Sequence, residues 1–211
     1  MPQKDFFFNW EKIQKEELKK KQSLLISPKE LFKNFSTFLL KKFDKNEIKG
    51  IEDFFSNLSN LDFDKIYKNY MSHPIRVAHM WALINHSVSA SEIKFALAHN
   101  IIENGFLNEI KNCLEKKEIE KIKILTIDRN KEKNLNYLNI YYSNIENHSK
   151  NLFIFKSLDK LDNLLIGEKY LFDDYALNLL RKQICSRLKK HNMRLHDYIY
   201  DAANFYEQKY Y

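Results

Sequence analysis

Glycine and proline each occur only three times in 211 residues, far below ordinary usage. A sandwich or barrel needs turn residues at intervals of about 8–12 positions, so the scarcity excludes both. It favours long helices joined by polar connections. Cysteine is rarer still. Cys113 and Cys185 lie far apart with no C-x-x-C pair, which excludes a disulfide framework or a zinc-ribbon spacing. Both read as reduced, buried or half-buried thiols of a reducing compartment. Long apolar runs are missing too, since no stretch approaches the roughly 18–20 residues of a membrane span. The N-terminus places Asp5, Glu11 and many lysines around short apolar clusters, unlike a signal peptide. The expectation is a soluble, cytoplasmic protein with no membrane partner. Glycine-rich phosphate loops and recognisable nucleic-acid motifs are likewise absent.

What remains is 44% apolar and 14% aromatic, enough to bury a sizeable core. The reading is all-α and one structural domain. Residues 1–50 form an N-terminal helical extension packed on the core, and residues 51–211 form the main helical domain. The net charge is +7, from 35 Lys and Arg against 28 Asp and Glu. Lysine dominates and is interspersed with Glu and Asn, so the charge reads mainly as a solvated surface. It lends some support to an anionic, phosphate-bearing ligand, whereas nucleic acid is not an expected partner.

Along the chain, Phe6 to Gln22 is charged and helix-compatible, and its Glu16–Lys21 run reads as a solvated face. Ser27–Pro28–Lys29–Glu30 reads as a helix start with capping-box spacing. Leu31, Phe35, Phe38, Leu39 and Phe43 follow at helical intervals. Gly50 and the Ser56–Asp62 stretch are expected to mark turns around a short helix. His73 opens a helix continued by Val77, Met80, Trp81 and Ile84. Ser89 and Glu92 make a second capping box, beginning a helix through Ile93, Leu97 and Ile101 that Gly105 ends. Leu107 to Leu125 reads as one amphipathic helix, Thr126–Asn134 as a polar loop, and Tyr137 to Ile145 as helix or bend. Leu152 to Leu165 is a strongly apolar helix, and Leu171 to Tyr211 adds one or two more.

Two imidazoles, His73 and His99, and the distant carboxylate of Asp159 come from three predicted helices with faces suited to a bundle core. Imidazole nitrogen and carboxylate oxygen together suit manganese, iron or zinc. Such an ion polarises a phosphoryl oxygen and acidifies water. Glu103, four residues after His99, is expected on the same helical face, where it can orient or deprotonate that water. His79, His86, His148, His191 and His196 lack such surroundings and read as surface or packing residues. The aromatics of Phe6–Trp10 and Phe205–Tyr211 read as helix packing. If exposed, they would form a partner or homodimer surface.

Three segments carry a resemblance. Tyr70–Met71–Ser72–His73–Pro74 with Val77–Ala78, then Leu97–Ala98–His99–Asn100 through Glu103–Asn104, then Lys156, Asp159, Lys160, Leu161 and Asn163 stand in the order of a known pattern. It resembles the HD-domain phosphohydrolases, closest to the RelA/SpoT-type alarmone hydrolases, across roughly residues 70–165. The resemblance implies an HD-type helical bundle. It also implies a divalent metal, usually manganese, and removal of the 3′-pyrophosphate from guanosine tetra- or pentaphosphate. By position it implies His73, His99, Asn100 and Asp159 as ligands, Glu103 and Asn104 at the attacking water, and Asn163 and Lys156 at the substrate. Asparagines stand at 100 and 104 where the family has aspartates. An upstream Arg-Lys pair of the family is not evident, Lys65 and Lys68 being the nearest cations. These departures place a second reading beside the first: a catalytically silent fold of the same type that binds a nucleotide or a protein partner and has no resident metal. A helical interaction protein is the third.

Overall fold

The computed structural model describes residues 19, 21–22, 25–63, 69–166 and 174–210. The expectations for the Phe6–Trp10 cluster, most of the Phe6–Gln22 helix and its charge run, Lys65, Lys68, residues 171–173 and Tyr211 lie outside these residues. Every element described is helical and none is a strand, as the shortage of turn residues implies. No helix among the described residues is long and apolar enough to cross a membrane.

With so little glycine and proline, side chains of Ser, Asp and Asn punctuate the chain. Each can offer an oxygen to the unsatisfied N–H groups of a helix start. Ser27 caps α1 (Pro28–Leu39), accepting from the Glu30 N–H at 3.2 Å. Asp44 and Glu47 form a reciprocal capping box at the start of α2 (Lys45–Ser59). Ser89 and Glu92 do the same for α4 (Ala90–Ala98). Asn134 caps α7 (Leu135–His148), accepting from the Tyr137 N–H at 3.0 Å. Ser149 stands in extended conformation between α7 and α8 (Lys150–Ile166). The Asn192 side chain accepts from the Leu195 N–H at 3.0 Å at the entry to α11 (Met193–Tyr210).

The chain divides into two compact units. In residues 23–128, α4 is central. It packs on α2, on α3 (Ser72–Ile84) and on α6 (Lys116–Leu125), while α1 packs on α2 and α3. Ile93, Phe95, Ala96, Leu97 and Ala98 are all buried. Small residues at 96 and 98 let neighbouring helices approach an otherwise bulky face. Phe32 of α1 stacks on Phe55 of α2 at 3.7 Å, and His79 of α3 packs on Phe35 and Phe38, a packing role as expected.

From Arg129 onwards, α8 is the buried helix. It packs against α7, α10 (Ser186–Leu188) and α11. Twelve of its residues are buried, including Leu152, Phe153, Phe155, Leu158, Leu161, Leu164 and Leu165. A helix buried around its circumference belongs to the interior, so every polar side chain on it needs a partner. The Ser157 hydroxyl donates back to the Phe153 carbonyl at 2.8 Å. Between α8 and α11, α9 (Asp174–Leu179) runs through a π-helical turn, Leu180–Cys185, into α10.

Several boundaries differ from the sequence reading. Gly50 marks no turn: α2 continues through it for 15 residues, because the Asp44 box starts the helix early and apolar Ile48, Ile51, Phe54, Phe55 and Leu58 bury one stripe. The stretch Leu107–Leu125 is broken into α5 (Leu107–Ile110), a 3-10 turn at Lys111–Cys113, and α6. Leu114 and Glu115 are extended there. Cys113 lies exposed at that break, against expectation, whereas Cys185 is buried.

Candidate metal centre

Asn69 enters the first motif with φ +59°, in the left-handed region that asparagine tolerates better than most residues. Its carbonyl accepts from the Ser72 N–H at 2.9 Å, and the Tyr70 carbonyl from the His73 N–H at 3.2 Å. Tyr70 stacks on Phe63 at 4.6 Å, and Phe63 meets Phe106 edge-on at 4.9 Å. These contacts fix the start of α3. His73 and Pro74 therefore fall in its first turn, where a missing proline N–H costs nothing. His73 is half-buried.

His99 follows α4 directly, in its C-cap position, and is 1% exposed. Its Nδ1 lies 2.7 Å from the Ala96 carbonyl oxygen. A carbonyl only accepts, so Nδ1 carries the hydrogen, and in the neutral ring Nε2 carries the lone pair. The His73 and His99 rings meet edge-on, with centroids 5.3 Å apart and planes at 61°.

Asp159 is 2% exposed on α8. Its Oδ2 pairs with the Lys156 ammonium at 2.8 Å, and its Oδ1 accepts from the Asn163 amide at 3.4 Å. Lys156 is 4% exposed. Burial disfavours its charge, but Asp159, Tyr141 and Tyr142 outweigh that penalty and hold the ammonium well above its ordinary range. Burial also pushes the Tyr142 hydroxyl up. Lys156 is thus charged and paired with Asp159 one turn along the same helix.

His73 and His99 thus bring two imidazoles together within residues 23–128, while Asp159 is a buried carboxylate of the other unit.

The other candidates stand in the turns after α4. The helix stops at Ala98, so the expectation of His99 and Glu103 on one continuous helical face is not met. Residues 99–105 form consecutive turns. They close with the Gly105 N–H on the Ile102 carbonyl and the Phe106 N–H on the Ile101 carbonyl, at 3.0 and 3.1 Å. Gly105 has φ +81°. This is the 6→1, 5→2 pairing of a Schellman cap, so Gly105 does end the run as its position implied. The half-buried Asn104 donates its side-chain amide to the Asn100 carbonyl at 2.9 Å. It braces the turn that carries Asn100. Glu103 Oε1 accepts from the Ile127 N–H at 3.5 Å.

Two buried charged residues on α3 and α8 escaped the sequence reading. Asp162, fully buried on α8, and Arg76, 8% exposed on α3, lie three residues after Asp159 and His73. That spacing on apolar helices was the available signal.

No protein-family model, no curated protein and no solved structure matches this chain.

Proposed function

We propose that the chain is a metal-dependent phosphohydrolase of the HD type, acting on a nucleotide phosphate or pyrophosphate. The observation that carries the reading is the edge-on pair of imidazoles at His73 and His99, to which the resemblance of the three segments adds the buried Asp159 carboxylate as third donor. Its donor set of two imidazoles and one carboxylate fits manganese, iron or zinc. The Ala96 carbonyl on His99 Nδ1 is the kind of second partner that orients a ligating imidazole. A divalent cation there would supply Lewis acidity toward a phosphoryl oxygen.

The chain's own residues do the rest. Asn100 offers an amide oxygen as a further neutral donor. Glu103 takes a proton from the attacking water as its oxygen bonds to phosphorus. The bond from phosphorus to the nucleotide oxygen breaks, and that oxygen leaves with the electron pair and takes up a proton. Asn163, one turn beyond Asp159, contacts the nucleotide. Guanosine tetraphosphate losing its 3′-pyrophosphate is the first substrate to assay, by the resemblance of the three segments.

Asn100 and Asn104 favour one alternative, a catalytically silent fold of the same type. Asparagine cannot act as a base, and Asn104 commits its amide to the turn. Manganese-supplemented hydrolysis of guanosine tetraphosphate separates the two. Wild-type turnover that disappears in Glu103→Gln supports the enzyme. Turnover gained only in Asn100→Asp/Asn104→Asp supports the silent fold.

A further inference from the structure

The centre of α8 contains a cation of its own. Lys156 and Asp159 are i, i+3 neighbours on a helix buried on all sides, 4% and 2% exposed, with ammonium and carboxylate 2.8 Å apart. A charge this deep persists only when paired. The pairing has two consequences for any cation approaching Asp159. Oδ2 is held by the ammonium at 2.8 Å and Oδ1 by the longer 3.4 Å contact from Asn163, so a cation displaces a partner most readily at Oδ1 and the carboxylate is set to bind through that oxygen. The negative charge that would attract a divalent ion is already matched, and the matching positive charge stays close by. Asn100 compounds this, because an amide oxygen carries no compensating charge.

We propose that Lys156 is a positioning residue and built-in counter-cation of the metal centre, holding Asp159 in its one-oxygen orientation and competing with the divalent ion for its charge. The inference rests on the metal reading of His73, His99 and Asp159. Lys156 thereby replaces the electrostatic attraction of the site with dependence on the two imidazoles. Ions that prefer nitrogen are retained, and ions that prefer oxygen are held weakly. The centre fills and empties with the free metal concentration instead of holding its ion permanently.

The test is Mn²⁺ binding to the purified full chain by isothermal titration calorimetry, with the melting temperature read with and without Mn²⁺. Lys156→Gln removes the charge and keeps an amide donor toward Asp159. It is expected to bind Mn²⁺ at least about tenfold more tightly than wild type, since close like charges repel strongly in a low-dielectric interior. Its melting temperature should rise further on adding Mn²⁺ than wild type's, because the ion then supplies the missing partner. Lys156→Arg keeps the charge and is expected to stay within about threefold of wild type. A purely structural lysine would give the opposite pattern, weaker binding in Lys156→Gln with no gain in metal-dependent melting. That pattern overturns the inference while leaving the metal reading intact, as would Lys156→Arg binding as tightly as expected for Lys156→Gln. Should Lys156→Gln not fold without metal, its recovery on refolding with Mn²⁺ supports the inference, and failure to recover overturns it. Absence of binding in wild type and both variants overturns the metal reading itself.

Discussion

Asp159→Asn is nearly isosteric and leaves the Lys156 ammonium buried without its carboxylate. Both partners are almost inaccessible to water, so screening cannot absorb the loss. Removing one member of such a pair costs about 3–5 kcal/mol, mostly the penalty of the uncompensated charge left behind. With a urea slope of about 2–3 kcal/mol/M for a chain of this size, the unfolding midpoint falls by about 1–2 M. Chelator in every sample prevents a metal ion from interfering. The double variant Lys156→Met/Asp159→Leu removes both charges and is expected to recover at least about 2 kcal/mol over Asp159→Asn, because buried pairs replaced by apolar residues often cost nothing. A shift below about 0.3 M, or no recovery in the double variant, refutes the claim that the pair is a tightly coupled buried unit. The pH dependence follows from the direction of the Lys156 shift. Its folded value is raised, so its contribution is fully present below the ordinary lysine value of about 10.4 and is lost as pH rises through the folded value. Wild-type stability should therefore carry no pH dependence from Lys156 between about pH 6 and 9, whereas Asp159→Asn, where burial acts on the ammonium unopposed, should gain on wild type as pH rises.

Two glycine substitutions should move stability in opposite directions. Gly50→Ala lies inside α2 with its new Cβ in ordinary contact, 3.6 Å from Lys94 Nζ, and gains about 0.5–1 kcal/mol; Gly105→Ala meets no atom within 4 Å but has φ +81° and loses about 1 kcal/mol or more. Urea melts showing both with the same sign would contradict the assigned backbones. Thiol labelling at pH 8 should find Cys113 reactive in the native protein and Cys185 only after unfolding, since burial pushes the Cys185 thiol to about 12. That raised value also removes stability as pH climbs from the ordinary thiol value of 9.0 towards 12. Ser89→Ala should cost about 1 kcal/mol through loss of its N-cap bond, and a thermal melt unchanged from wild type would show the α4 box to be idle.

The helical character of the chain was legible because it rests on composition and on local chemistry. Ser27 and the Ser89/Glu92 spacing each announced a helix start, and Gly105 announced an end. Asp44/Glu47 carried the same signal and was overlooked in favour of Gly50, whose helix-breaking tendency yields to the buried stripe of α2. The break within Leu107–Leu125 was hidden because no glycine or proline marks it. At the candidate site, the order of His73, His99 and Asp159 could be read from the sequence. The bond from His99 to Ala96, the commitment of Asn104 to its own turn and the inward course of Lys156 could not. Each depends on where a helix stops or which side of α8 is buried, and spacing alone does not fix either. A lysine three residues before an aspartate reads as a surface pair until its helix is known to be interior.

The most direct test of the central claim is equilibrium dialysis of chelator-stripped protein against Mn²⁺, with the bound metal quantified for wild type and His99→Ala. The account predicts a single saturable equivalent per wild-type chain, lost in the variant while its helical circular dichroism is retained. Wild-type protein that takes up no Mn²⁺, or His99→Ala that takes up as much, would contradict it.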